Sequence, residues 1–274
     1  MADVSTPARS RFSIKRQPGF TTIALVCFLM LYAPIITLVT YSFNAGTSVA
    51  IWEGFSWRWY EAAWQNEQVQ DAAVRSLIVA ACAAFIATSA ATMAALATTR
   101  TKPYRGLTTV YALINQPLMV PEIVTAVALL IFFAVIKVNT GYQGLGYLIL
   151  AHTAFCIPFA YLPIRARLEG MDLSLESAAA DLYATPWLTF RRVTLPLLLP
   201  GILAGAMLAF VISLDDVVIT EFVKTPGQDT LPTYMLGQLR RVVTPEVNAI
   251  STVLLTISVV LVSVFFFLNR RKSK

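Results

Sequence analysis

The chain has 274 residues, of which 57% are hydrophobic and 13% charged, against about 25% charged in an ordinary soluble domain. That composition excludes a water-soluble globular protein. The net charge of +6 does not mark a nucleic-acid binder, because the basic residues are distributed between apolar stretches in an orderly way.

A hydrocarbon core of about 30 Å needs about 20 apolar residues per crossing helix. Long stretches without charge predict six spans joined by short connections, hence an all-α membrane protein and one transmembrane domain over 1–274. A basic tail, 1–19, with Arg9, Arg11, Lys15 and Arg16, leads into the first span, Phe20 to Phe43. That span is longer than a signal-peptide core and has no nearby cleavage site, so it is expected to be retained. The loop from Asn44 to Arg75 sets Trp52, Trp57, Trp59, Tyr60 and Trp64 among acidic residues. Such a segment on the outer face serves either as a membrane-anchoring belt or as a docking surface for an extracytoplasmic partner.

The second span, Ser76 to Thr99, is rich in alanine, which lets helix backbones approach closely in lipid and predicts a packed inner helix. The third, Gly106 to Ile136, carries Pro117 and Pro121 in its middle and is predicted to be one broken helix. Glu122 then falls inside the hydrocarbon depth, where an acid either faces a solute pathway or caps the restarted helix. The fourth span, Gly144 to Ile164, holds the lone His152, whose expected role is a helix-to-helix hydrogen bond. The fifth starts near Leu197 and meets its first charge at Asp215; the sixth runs from Val247 to Leu268. Basic residues follow the second span (Arg100, Lys102, Arg105), follow the fourth (Arg165, Arg167, Arg191, Arg192) and end the chain (Arg270, Arg271, Lys272, Lys274). The opposite side has fewer, so both termini are expected in the cytoplasm.

The longest cytoplasmic connection, Arg165 to Leu195, has helical patterning of its own. Leu175, Ala178, Ala179 and Leu182 make one apolar face, with Ser174 placed to cap it and Glu176 in its first turn. Thr185-Pro186 is a second helix start, so two short helices are predicted over 174–193.

Ser177-Ala178-Ala179, Tyr183, Val193 and Leu195-Pro196 stand at a spacing that resembles the EAA loop of binding-protein-dependent ABC importer permeases. Ser177 occupies the position of the family's Glu, Tyr183 that of its Gly and Val193 that of its Ile. Glu176 lies one residue before the Glu position, about 100° around the helix. Tyr41 to Asn44, Trp52 to Tyr60, His152 to Pro158, Ser213 to Asp216, Leu231-Pro232 and Pro245 to Ala249 extend the likeness along nearly the whole chain. They resemble the second permease of spermidine/putrescine ABC importers.

That resemblance implies the six-span, MetI-like core of type I importers in a bacterial inner membrane. It implies that Glu176, Ser177, Ala178, Ala179, Asp181, Leu182, Tyr183 and Pro186 couple to an ATPase subunit. The partners so implied are a second permease forming a heterodimer, two copies of the ATPase, a periplasmic binding protein that carries most of the specificity, and membrane lipid, with no nucleic acid. For a small organic cation, Asp215, Asp216 and Glu221 near the outer mouth and Glu122 deeper in would form a descending series of negative sites. The other role open to the Asp pair is structural, holding helix ends through backbone groups or Arg240 and Arg241.

No GxxxxGK[ST] occurs, so ATP-Mg must be handled by the partner, and no cofactor of the chain's own is expected. Cys27, Cys82 and Cys156 lie in spans without metal-site spacing. A membrane-embedded hydrolase using Ser213 or His152 lacks GxSxG and HExxH motifs. A proton-coupled carrier using Glu122 and Asp215 calls for inverted repeats, and none is visible. An ABC permease for another small solute, such as an amino-acid derivative, stays open.

Overall fold

The computed structural model describes residues 19–101, 104–241 and 244–272. The tail before Gly19, together with Lys102 and Lys274, lies outside them. In chain order the helices are α1 (Phe20–Tyr41), α2 (Arg58–Gln65), α3 (Glu67–Thr99), α4 (Leu107–Met119), α5 (Glu122–Thr140) and α6 (Gly146–Glu169). Then come α7 (Ser174–Asp181), α8 (Pro186–Thr189), a π turn (Phe190–Thr194), α9 (Leu195–Asp215), α10 (Val218–Val223), α11 (Leu231–Leu239) and α12 (Pro245–Lys272). Among the described residues, six helical runs are long and apolar enough to cross a membrane: α1, α3, α5, α6, Pro186–Asp215 and Pro245–Val264.

α3 starts at Glu67, well before the predicted Ser76. Asn66 caps it by accepting from the Gln68 N–H at 3.0 Å, and Arg75 bonds Asp71 one turn away at 3.0 Å. Helix that projects beyond the hydrocarbon keeps its charges, so a charge-free window cannot find its end. The third stretch does break, at Val120 and Pro121, both extended in ψ. The residue before a proline is driven out of the helical region, yet Pro117 stays inside α4. α5 alone is long enough to cross, so α4 is a separate arm leading into it.

The centre of the molecule is a three-helix contact. Ala83, Ala87, Ala91 and Ala95 line one face of α3 and are fully buried. The lower part of that face meets Cys156, Ala160, Tyr161 and Ile164 of α6 and Leu198 and Ala209 of α9. Gly201 and Gly205, spaced GxxxG, let α9 lie directly on α6: a Cβ at Gly205 would stand 2.7 Å from the Ala160 carbonyl oxygen. Lipid supplies no hydrophobic drive between helices, so such close packing supplies the attraction instead. A second cluster tucks α10 between α5 and α6, with Ile219 and Val223 against Ala126, Phe133, Tyr147 and Ala151.

α1 buries none of its residues. The loop after it is stapled by Asn44, whose Nδ2 donates to the Ser48 and Ile51 carbonyls at 2.9 and 2.7 Å while Oδ1 accepts from the Glu53 N–H at 2.8 Å. Trp59 is buried and donates to the Gly46 carbonyl at 3.1 Å, whereas Trp52, Trp57 and Trp64 remain exposed.

In the connection between α6 and α9, Ser174 is not the cap of α7 but its first residue. Asp172 does the capping, its Oδ1 accepting from the Ser174 N–H at 2.9 Å. An Asx side chain two residues ahead reaches the free N–H of the first turn, and an ionised carboxylate is a strong acceptor. Thr185 caps α8 as expected, accepting from the Leu188 N–H. Between the helices Tyr183 sits at φ 55, the left-handed region, and the Ala184 N–H closes the turn on the Ala179 carbonyl at 3.0 Å.

Candidate functional site

α9 ends where Asp216 turns extended, and that residue starts the next helix. Asp216 Oδ1 accepts from the Ile219 N–H at 3.3 Å; Oδ2 accepts from the Thr220 N–H at 2.9 Å and its hydroxyl at 2.8 Å. His152, on α6, completes the arrangement. Its Nε2 lies 2.9 Å from Thr220 Oγ1 and 3.3 Å from Asp216 Oδ2, and its Nδ1 lies 2.7 Å from Ser213 Oγ. The Thr220 hydroxyl spends its one proton on Asp216, so Nε2 must donate to Thr220; a neutral ring then accepts the Ser213 proton at Nδ1. Every member is buried, and the network fastens α6, α9 and α10 to one another.

Ser213, His152 and Asp216 thus touch in the order of an acyl-transfer triad. Burial argues against that chemistry: Ser213 is 4% exposed and His152 2%, and neither lines a described cavity beside Asp216. A nucleophile needs an approach for its substrate and a hole for the oxyanion. Among the described residues no group of three His, Cys, Asp or Glu is placed to hold a metal ion.

Beside the network lies a cavity of about 390 Å³, lined by Glu122, Phe155, Phe159, Asp215 and Asp216 among others. Phe155 and Phe159 lie near the middle of α6, so the start of α5 at Glu122 faces the same cavity as the middle of that helix. Asp215 also lines a second cavity of about 390 Å³ bounded by α1, α9, α11 and α12. Among the described residues no basic side chain lines either cavity and none pairs with Glu122 or Asp215. No N–H of α5 is capped by Glu122, and Asp216 is held by backbone groups rather than by Arg240 or Arg241.

Three of the four acids read from the sequence therefore converge, and Glu221 does not. Glu221 belongs to an outer cluster, accepting from Lys224 Nζ at 2.6 Å and standing 3.8 Å from Arg240. Lys224 also donates to Asp229 at 2.7 Å. Burial works against its ammonium, but these bonds outweigh it and raise its pKa above the usual lysine range. One turn of α10 separates Glu221 from Asp216 and turns it toward basic partners, which spacing along the chain does not reveal.

In the segment over α7 and α8, Leu182, Tyr183 and Trp187 are 82, 96 and 69% exposed, and Ser177, Ala178, Asp181 and Pro186 are exposed as well. Ala179 is half-buried. Glu176 turns the other way, toward Arg100 at 3.2 Å and Thr194 at 3.0 Å.

The family described as the binding-protein-dependent transport system inner membrane component matches residues 87–273. The chain is 39% identical over 245 residues to the putrescine transport system permease protein PotI of Escherichia coli K12, covering 88% of this chain and 87% of that one. It is 38% identical over 248 residues to the spermidine/putrescine transport system permease protein PotC of Haemophilus influenzae, covering 90% and 95%. In fold it is similar to a chain of a bacterial ABC transporter that imports the acidic polysaccharide alginate, with TM-score 0.74 at 18% identity over 93% of this chain and 95% of that one. It is also similar to a chain of the MetNI methionine ABC transporter, with TM-score 0.60 at 19% identity over 78% and 96%.

Proposed function

Because this chain belongs to the family of binding-protein-dependent transport system inner membrane components, we propose that it is the permease subunit of an ATP-driven importer for a polyamine such as putrescine or spermidine. The observation that carries the substrate class is the convergence of Glu122, Asp215 and Asp216 on one cavity that has no basic lining residue. Acids at membrane depth need a counter-charge, and an ammonium supplies one. Phe155 and Phe159 offer ring faces that attract cations in the same space. Asp216 is committed to holding α10, which leaves Asp215, and Glu122 beside Asp216, as the groups to meet the solute.

A second permease subunit supplies the other wall of the pathway, a periplasmic binding protein delivers the solute, and two copies of an ATPase subunit hydrolyse ATP-Mg. The docking surface for the ATPase is the exposed apolar group of Leu182, Tyr183 and Trp187 with the Ala178 face of α7. The excess of basic residues beyond α3 and α6 supports a cytoplasmic position for this surface and for both termini.

The complete complex in proteoliposomes, supplied with polyamine-loaded binding protein, tests the reading. Polyamine should stimulate ATP hydrolysis, and Asp215→Asn should cut uptake at least about tenfold, the equivalent of 1.4 kcal/mol, with unchanged subunit recovery. Stimulation by an anionic ligand and not by polyamine would overturn the substrate class. Ala179→Glu sets a charge at the edge of the docking surface and should reduce co-purified ATPase; full recovery with full transport would remove α7 from that interface.

A further inference from the structure

One carboxylate oxygen joins three elements that chain order keeps apart. Glu176 Oε1, on α7, accepts from Nε of Arg100, the cap residue of α3, at 3.2 Å, and from the hydroxyl of Thr194, in the π turn that leads into α9, at 3.0 Å. The Arg100 and Glu176 side chains are only 19 and 24% exposed. Arg100 Nη2 is buried with no hydrogen-bond acceptor, so Glu176 is the one anion compensating this guanidinium among the described residues. A partly buried cation stripped of its only counter-charge costs far more than a surface pair would.

The surroundings make this contact matter. A cavity of about 320 Å³, lined by Leu96, Arg100, Glu176, Ala184, Phe190 and Thr194, lies between α7 and the ends of α3 and α9. Close apolar packing does not fill that gap. The other polar side chains of α7 do not bridge it: Ser177 bonds back to the Leu173 carbonyl at 3.2 Å, and Ser174 and Asp181 are exposed.

We infer that Glu176 is a positioning residue, an ionic clamp that ties α7 to the cytoplasmic ends of α3 and α9 so that the docking segment and the transmembrane core move together. The inference rests on the reading of α7 and α8 as the ATPase-docking segment. The clamp is a single acid because α3 ends in a buried cation and α9 begins with a hydroxyl, both within reach of one oxygen.

Glu176→Gln tests it, since the amide oxygen keeps the Thr194 bond and only the charge is lost. In the complete complex, ATPase recovery should match wild type while solute taken up per ATP hydrolysed falls about fivefold. In the full chain in detergent, amide hydrogen exchange over 174–184 should rise about tenfold. The reversed pair, Arg100→Glu with Glu176→Arg, should regain at least half of the lost coupling. Unchanged coupling and unchanged exchange in E176Q would overturn the clamp. Loss of the ATPase from E176Q complexes would overturn it too, by placing Glu176 in the docking surface. Failure of the importer reading shows differently, as absent solute-dependent hydrolysis in the wild-type complex, and the exchange measurement still decides the clamp.

Discussion

Tyr183 holds a left-handed backbone that costs a residue with a Cβ about 1–2 kcal/mol, and its side chain, 96% exposed, recovers none of that within the chain. Tyr183→Gly should therefore stabilise the turn by about 1 kcal/mol, read as slower exchange of the Ala184 amide that closes it. Faster exchange would show that the ring supports the turn. The adjacent acids at the end of α9 separate the same way. Asp216→Asn turns an amide N–H₂ or a lone oxygen toward donors that now share two carboxylate oxygens, at a cost of about 2–3 kcal/mol, visible as lower membrane abundance and earlier thermal unfolding. Asp215→Asn should leave unfolding within about 0.5 kcal/mol of wild type, because its carboxylate is exposed to the cavities. Equal destabilisation by both would contradict the division of roles. That division was not legible in the sequence, where Asp215 and Asp216 are simply neighbours. It depends on Thr220 and His152 converging from α10 and α6.

Helices that cross lipid announce themselves by composition, and each predicted span corresponds to one crossing run except the third, which divides into α4 and α5. Their ends were less legible. The start of α3 lies among charges, and the cap of α7 is Asp172 rather than the better-placed Ser174. The pairing of helices was legible only in part: alanine marked α3 as an inner helix, while Gly201 and Gly205 carried a spacing signal for the α6 contact that went unused. Gly205→Ala should force α9 away from the Ala160 carbonyl and cost about 1–3 kcal/mol in thermal unfolding. Gly237→Ala in α11 is the control. A Cβ there meets nothing within 4 Å, so it should be neutral or slightly stabilising. Similar losses at both positions would mean that helix propensity, not close approach, sets the effect.

At the scale of the molecule, the run from Pro186 to Asp215 is unbroken helix of 30 residues, passing through the π turn without a loop. At 1.5 Å per residue it spans about 45 Å, with the exposed residues proposed to dock the ATPase at one end and the acid cavity at the other. Pro196 and Pro200 remove two of its internal hydrogen bonds, yet no loop interrupts the run, so under the proposed docking a displacement applied at Trp187 would pass along it toward Asp215, as along a push-rod with an acid at its tip. A Gly-Gly insertion after Thr189 should disconnect the two ends while leaving the core contacts of α9 in place. Thiol labelling of Val211→Cys, at the cavity wall, in a background with Cys27, Cys82 and Cys156 replaced by Ala, reports on the tip. ATP should change its labelling rate in the parent and not in the insertion variant; an unaltered response in both would assign the stroke to another helix. A permease that docks its ATPase as proposed would carry motor contact and cargo acid on one continuous helix, with no loop between them.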